Sequence, residues 1–180
     1  MGVTSEIHLP DPCLVVLVGA AGSGKTTFAA RHFATDEVLS SDAYRGYISG
    51  DPTDQRATRA AFAALHRDLA TRLRGGRLTV VDATSVKPAA RSALLRLAAS
   101  AGVPAVAIVL DLPPELVLRR NALRANGVVP EEGVLRQLGD LRRSLDSGLI
   151  AAEGWRQVVR LTDPVAVDTA RVVRLPQGTW

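Results

Sequence analysis

One segment of the sequence has residues and spacing suited to binding phosphate groups. Residues 19–26 read Gly-Ala-Ala-Gly-Ser-Gly-Lys-Thr, which fits the pattern G-x-x-x-x-G-K-[ST]. Small side chains let successive backbone N–H groups converge on phosphate oxygens. Lys25 adds a positive charge for the β- and γ-phosphates of a nucleoside triphosphate, and the Thr26 hydroxyl is a ligand for Mg²⁺. The residues predicted to hold the nucleotide are Gly19, Gly22, Ser23, Gly24, Lys25, Thr26 and Thr27.

Two acidic residues follow later strand-like segments and are candidates for chemistry beside the phosphates. Asp42 follows the segment 37–41, and Asp82 lies near the end of the segment 78–83. In an open α/β sheet the carboxyl ends of the strands face the ligand crevice. Asp42 would there accept the proton of an acceptor hydroxyl, although a helix N-cap fits the same position. Asp82 would orient Mg²⁺ or bond to the phosphate loop.

Arginines stand where they could neutralise phosphate charge. Arg45 lies three residues after Asp42, so a helix would place both on one face and let Arg45 hold an anionic group of the acceptor. Arg119, Arg120 and Arg124 stand in one predicted helix, and Arg120 and Arg124 share a face of it. They would neutralise charge on the oxygens of a transferring phosphate. A solvated basic stripe is the alternative.

These residues can meet only if the elements that carry them form one sheet. Continuous apolar, β-rich segments such as 13–18 and 104–110 are typical of strands buried on both faces. Strands are predicted at 13–18, 37–41, 78–83, 104–110, 157–161 and 171–175. Helices are predicted at 24–33, 51–74, 87–101, 113–124 and 131–146. The alternation predicts an α/β fold with a parallel sheet covered by helices on both sides.

The remaining segments complete a single predicted domain over residues 1–180. Residues 1–12 are polar with two prolines and are interpreted as a tail. Residues 42–50 are predicted to form a turn with one helical stretch. Residues 119–147, here called the lid segment, are expected to form a small helical lid over the nucleotide.

Composition excludes several classes of protein. The 180 residues are 47% hydrophobic with a net charge of +4, which excludes global disorder. No apolar stretch approaches the roughly 18 residues of a membrane-crossing helix, and no leader pattern is evident, so we expect a cytoplasmic protein. Cys13 is the single cysteine, which excludes an internal disulfide. Twenty of the 22 basic residues are arginine. This favours an anionic partner such as nucleic acid, or reflects coding bias.

The phosphate loop occurs in kinases, GTPases, ATPase motors and transporters. The sequence lacks an N/T-K-x-D element to select guanine, and 180 residues are few for a motor core with its sensor segments. These observations favour a small kinase.

Together these segments resemble the kinase domain of the bacterial polynucleotide 5′-hydroxyl kinases of RNA repair, which are relatives of the phage polynucleotide kinase. The resemblance rests on residues 14–28 (LVVLVGAAGSGKTTF), 37–46 (EVLSSDAYRG) and 78–85 (LTVVDATS), and on Arg120-Asn121 with Arg124. The phosphate loop is widespread, whereas S-S-D-x-x-R-G paired with V-V-D-A-T is much more discriminating.

The resemblance implies a P-loop NTPase with an adenylate-kinase-like parallel sheet, using ATP and Mg²⁺. Asp42 would be the general base toward a 5′-hydroxyl of RNA or DNA, and Arg45 would hold the phosphate next to that nucleotide. Arg120 and Arg124 would be lid arginines on the β- and γ-phosphates. The implied catalytic residues are thus Lys25, Asp42, Arg45, Arg120 and Arg124, and the implied metal-site residues are Thr26 and Asp82.

The sequence departs from that family's pattern at two places. Ser85 stands where the family often carries Asn, and Asn126-Gly127 replaces an expected third lid arginine. The bacterial repair enzyme also carries phosphatase and ligase modules, so this chain is expected to act as a free-standing kinase or beside separate partners of those kinds. Two alternatives remain open: a kinase for a small hydroxylated molecule, and an ATP-binding regulatory or toxin-like module with little turnover.

Overall fold

The computed structural model describes residues 6–125 and 127–176. The strands are β1 (Glu6–Asp11), β2 (Leu14–Val18), β3 (Val38–Ser40), β4 (Thr79–Asp82), β5 (Ala105–Leu110), β6 (Gln157–Leu161) and β7 (Arg171–Pro176). The helices are α1 (Lys25–His32), α2 (Ser41–Ser49), α3 (Thr58–Arg74), α4 (Pro88–Ser100), α5 (Pro114–Ala122), α6 (Glu131–Asp146), α7 (Leu149–Ala152) and α8 (Pro164–Thr169).

A five-stranded sheet in the order β3-β4-β2-β5-β6 forms the centre of the fold, and every pairing in it is parallel. The predicted α/β fold with a parallel sheet is therefore confirmed. The central strand β2 is fully buried because helices cover both faces of the sheet. Its side chains alternate between two cores: Val15 and Leu17 pack with α1, whereas Val16 and Val18 pack with α3 and α4.

The predicted tail at residues 1–12 is wrong for Glu6–Asp11, which forms β1. This strand pairs in parallel with β7, in the register Ile7↔Val172 and Leu9↔Arg174. Ile7 and Leu9 are fully buried on either side of the partly buried His8, but a period of two over so few residues is too short to indicate a strand by itself. Residues 1–5 lie outside the described part of the chain.

Two predictions around residue 50 also need correction. Residues 42–50 are not a turn with one helical stretch, because α2 runs unbroken over Ser41–Ser49 with the Ser40 side chain as its N-cap. The next helix, predicted from residue 51, begins at Thr58. The Asp51 side chain accepts hydrogen bonds from Thr53 N and Oγ1, and this local turn competes with helix initiation.

The sequence did not predict α7 and α8, which are only four and six residues long. Short helices carry too few residues for a periodic pattern to stand out. Within residues 6–125 and 127–176, none of the helices has the length and apolar character that crossing a bilayer requires.

Candidate nucleotide and phosphoryl-transfer site

The carboxyl ends of three neighbouring strands carry the residues that the sequence singled out. In the sheet register, Asp82 of β4 lies beside Leu17 of β2 on one side and Ser40 of β3 on the other. The phosphate loop leaves β2, and Asp42 follows β3 at the start of α2. The parallel strand order thus brings the loop and both carboxylates to one edge of the sheet.

The phosphate loop needs glycine at two positions for backbone reasons. Gly22 and Gly24 have φ of +87° and +96°, a region that other residues rarely adopt. A Cβ on Gly22 would lie 2.4 Å from Val117 O and 2.9 Å from Asn121 N. The loop therefore packs directly against the backbone of α5.

Lys25 begins α1 and is buried beneath the loop. Its Nζ donates to Gly19 O and Ala20 O, each at 2.9 Å. Burial lowers the pKa of Lys25 to about 8, although the charges of Asp82 and Asp42 act in the opposite direction. The ammonium is thus held close to the loop backbone and under the influence of both carboxylates.

Thr26 and Asp82 supply a pair of oxygen atoms next to Lys25. Thr26 Oγ1 donates to Asp82 Oδ2 at 2.7 Å. Burial raises the pKa of Asp82, and the Thr26 hydrogen bond and the Lys25 charge oppose that rise. Oxygen donors are what Mg²⁺ prefers, and at phosphate sites it takes only one or two protein ligands. The Thr26 and Asp82 oxygens fit a site of this kind. Among the described residues, no cluster of three or more acidic, histidine or cysteine side chains is placed to hold a metal ion.

The Asp42 carboxylate lies between two guanidinium groups. Arg45 Nη2 pairs with Asp42 Oδ1, and Arg124 Nη2 lies 3.8 Å from Asp42 Oδ2. Arg45 also donates from Nε to Pro52 O at 2.9 Å. The side chain of Asp42 is 49% exposed, whereas that of Arg45 is 12% exposed. Helix α2 therefore presents an accessible carboxylate with a fixed arginine beside it.

The lid arginines differ in their placement. Arg120 Nη1 lies 3.8 Å from the position of a Cβ on Gly24, so it stands over the phosphate loop, whereas Arg119 is exposed. Arg124 is not on the same helix as Arg120, because α5 ends at Ala122. It still reaches Asp42, since the chain after α5 turns back toward α2.

Asn121 explains that turn. Its side-chain amide donates to Val129 O at 2.7 Å and accepts from Val129 N at 3.2 Å, which closes the loop between them. Gly127 in this loop comes near Thr53 and Arg124: a Cβ on it would lie 3.6 Å from Thr53 Cγ2. Asn126, part of the predicted departure from the family pattern, lies outside the described residues.

One continuous groove runs along these elements. Its walls include most of the predicted nucleotide residues and all of the predicted catalytic ones, namely Gly22, Gly24, Lys25, Thr26, Thr27, Asp42, Arg45, Arg120 and Arg124, together with Asp82. Gly19 and Ser23 do not line it. Ser23 is fully buried and its N–H donates to Ala20 O at 3.1 Å, so it shapes the turn of the loop from within.

A buried cluster that the sequence did not reveal holds the loop after β4. Arg91 is fully buried and pairs with both carboxylate oxygens of Glu153, each at 2.7 Å. It also donates to Ser85 O and Val86 O. Ser85 has φ of +48°, a left-handed backbone conformation that asparagine adopts more readily than most residues other than glycine. An arginine on a helix gives no sequence signal for burial.

Helix α6 supplies a second residue that sequence reasoning missed. Gln137 Oε1 accepts a hydrogen bond from Ala21 N of the phosphate loop at 2.8 Å. The available signal was a polar residue in the apolar stripe of α6, between Val134 and Leu141.

Comparison with known proteins places this geometry in a wider group. A sequence model of a family described as AAA domain matches residues 14–147, which include the phosphate loop and reach into α6. No curated protein matches the sequence.

Several solved structures share the fold. A chain of the Pnkp1/Rnl/Hen1 RNA repair complex has a TM-score of 0.65 at 20% identity, over 77% of this chain and 47% of that one. The APS kinase CysC of Mycobacterium tuberculosis, in complex with AMPPNP and APS, has a TM-score of 0.55 at 21% identity, over 89% and 93%. A sugar kinase from Janibacter sp. HTCC2649 has a TM-score of 0.51 at 25% identity, over 84% and 85%. This chain spans about half of the RNA repair chain that it resembles.

Proposed function

The chain belongs to the AAA domain family, and from that premise we propose that it transfers the γ-phosphate of ATP to a 5′-hydroxyl end of RNA or DNA. The fold is that of P-loop kinases, and the structures that share it include a chain of an RNA repair complex, an APS kinase and a sugar kinase. The choice of acceptor therefore rests on the residues of the groove.

The observation that carries the proposal is that Asp42 and Lys25 line one groove, after the carboxyl ends of β3 and β2, the two strands that flank β4. Lys25 and the loop N–H groups would hold the triphosphate, and in-line transfer places the acceptor on the far side of the γ-phosphate from its leaving group. Asp42 lies beyond the loop, half exposed, where a hydroxyl could approach and surrender its proton. Position and charge would supply most of the catalysis.

Charge around the transferring phosphate would be neutralised from two sides. Lys25 lies under the loop and Arg120 stands over Gly24, so both would act on the equatorial oxygens in the transition state. Thr26 and Asp82 would hold Mg²⁺, which would supply positive charge to neutralise the phosphates when bound.

A polynucleotide acceptor is supported by the guanidinium groups around Asp42. Arg45 and Arg124 place two positive charges within reach of the position where the acceptor hydroxyl would bind. A phosphodiester next to a 5′-hydroxyl presents an anion that a guanidinium can hold bidentately. The likeness to the RNA repair chain and the S-S-D-x-x-R-G sequence point to the same acceptor.

The test is transfer of label from γ-labelled ATP, with Mg²⁺, to an oligonucleotide with a 5′-hydroxyl. The matched control is the same oligonucleotide with a 5′-phosphate. Label on the first strand alone is the expected result. ATP binding without label on either strand would contradict a polynucleotide acceptor.

A small-molecule kinase is the second candidate, and one observation favours it. Two of the five N–H donors of Arg45 are already used by Asp42 and Pro52 O, which leaves fewer of them for an acceptor phosphate. The APS kinase and the sugar kinase also match this chain over most of their own lengths. Offering nucleosides, sugars and adenylyl sulfate with labelled ATP separates the candidates, because only one class of acceptor should become labelled. ATP binding without transfer to any acceptor would instead favour a regulatory module.

A further inference from the structure

Helix α6 makes a direct hydrogen bond to the phosphate loop through Gln137. The Gln137 Oε1 atom accepts from Ala21 N at 2.8 Å, across 116 positions of sequence. We propose that Gln137 is a positioning residue that holds the phosphate loop in its nucleotide-binding shape. This inference rests on the nucleotide binding in the proposed function.

The position of Gln137 on α6 indicates that its contact with the phosphate loop is a specific structural feature. Val134 and Leu141 are buried one turn before and one turn after it, so Gln137 lies in the stripe that faces the protein interior. An apolar residue would be the ordinary choice there. A glutamine in that stripe needs a partner, and the Ala21 N–H supplies one.

The anchoring of α6 makes Gln137 a firm point of attachment. Val134 packs in the core on the α1 side of the sheet, together with Ala20 and Ala21, whereas Leu141 packs in the core on the α4 side. Helix α6 therefore passes across the end of the sheet with one side chain fixed in each core. Gln137 lies between these two anchors.

The bond acts on the same peptide group that Lys25 uses. Lys25 Nζ donates to Ala20 O at 2.9 Å, and Gln137 accepts from Ala21 N, which belongs to the same planar trans unit. Lys25 thus holds the carbonyl of this peptide, and Gln137 of α6 holds its N–H. Rotating this peptide would break both bonds, so Gln137 fixes the orientation of the carbonyl that positions Lys25.

Preorganisation is the consequence for ATP. The next N–H groups of the loop can converge on phosphates only while the loop keeps its turn. A mobile loop would have to become ordered when ATP binds, and the entropy lost in that step would weaken its affinity for ATP. Loss of one hydrogen bond to a partly buried N–H corresponds to about a tenfold change in affinity. The effect should appear in ATP binding, with kcat at saturating ATP changed less than about twofold.

The test is Gln137→Leu, which keeps the side-chain volume and removes the acceptor. We expect about tenfold weaker ATP binding by calorimetry and faster hydrogen exchange of the Ala21 amide without nucleotide. Thermal stability should be retained, because leucine suits the apolar stripe. A purely structural glutamine would lower stability and leave ATP affinity unchanged.

Two further variants complete the test. Arg142→Gln on the exposed face of the same helix is the matched control and should bind ATP as the wild type does. Gln137→Glu keeps an acceptor oxygen at the same reach, so the Ala21 amide should stay protected, and this variant also decides the matter if Gln137→Leu fails to fold. Wild-type ATP affinity in Gln137→Leu, or unprotected Ala21 in Gln137→Glu, would overturn the inference. A wild-type protein that does not bind ATP would instead refute the proposed function, while Ala21 exchange would still report the contact.

Discussion

The two ends of the groove are built in different ways. At the phosphate loop, Lys25 is 8% exposed and is held by backbone carbonyls, and Asp82 is 5% exposed and bonded to Thr26. At the other end, Asp42 is half exposed and is held by ion pairs with Arg45 and Arg124. The first end is fixed by main-chain geometry, whereas the second depends on long side chains from different segments.

The fold therefore determines the geometry of the phosphate loop, whereas the arrangement of side chains around Asp42 can change when a substrate binds. Backbone bonds and burial leave the loop little freedom, so any member of the fold that keeps the loop presents the same phosphate site. The Arg124–Asp42 pair is long, at 3.8 Å, and both of its side chains are partly exposed, so it contributes little stability. Under the proposed function, the Asp42 end, here called the adaptable end, would therefore adjust to an acceptor more readily than the phosphate-loop end, here called the fixed end.

The largest expected effect comes from removing the charge at the fixed end. Lys25→Met should lower phosphoryl transfer by about 10³-fold, because no other described residue places a cation beneath the loop. Steady-state kinetics with saturating acceptor measures this. Transfer within tenfold of the wild-type rate would show that Arg120 alone suffices for the phosphates.

Arg119 and Arg120 are adjacent on α5, and substituting each in turn tests whether the lid contributes to phosphate binding at the fixed end. Arg120→Ala should slow transfer by about 100-fold, since this side chain stands over Gly24. Arg119→Ala is the matched control, because Arg119 is the sequence neighbour of Arg120 but is exposed and does not line the groove. Equal effects of the two substitutions would refute the assignment of Arg120 to the phosphates.

A smaller effect is expected at the adaptable end. Under the proposed function, Arg45→Ala should raise the KM for a 5′-hydroxyl oligonucleotide by about tenfold and leave the KM for ATP nearly unchanged, because the proposed contact with the acceptor phosphate would be lost. Initial rates over a matrix of both substrates give the two constants. An increase in the KM for ATP alone would indicate that Arg45 contacts the nucleotide instead of the acceptor.

An effect of similar size is expected as a pH dependence at the fixed end. Burial lowers the pKa of Lys25 to about 8, so its charge is present below this pH and is lost above it. kcat/KM for ATP reports the free enzyme and should fall by about tenfold at one unit above that pKa. Lys25→Arg keeps its charge throughout and should show a flat profile over the same range. A flat wild-type profile up to pH 10 would contradict the role of burial at Lys25.

The sequence predicted the fixed end well because its signals are local. The loop follows a continuous apolar strand and opens a helix, and both features can be read within residues 13–33. The strand at 157–161 and the helix at 131–146 were also predicted with the bounds that the structure has. Periodic burial leaves a pattern in the sequence that needs no knowledge of partners.

Long-range partners account for what the sequence did not predict. Strand β1 is held by β7, which lies at the other end of the chain, so its short alternating pattern resembled a polar tail. Gln137 and Arg91 are polar residues with partners far away in the sequence, Ala21 N for Gln137 and Glu153 for Arg91. The placement of Arg124 likewise depends on the loop that Asn121 closes after α5.

The central claim is that the fixed end binds ATP while Asp42 activates the acceptor. Asp42→Asn keeps the shape of the side chain and removes its capacity to take a proton. In a single-turnover experiment with prebound γ-labelled ATP and excess 5′-hydroxyl oligonucleotide, we expect this variant to retain bound, intact ATP and to transfer label about 10³-fold more slowly than the wild type. Transfer by Asp42→Asn at the wild-type rate would contradict the account.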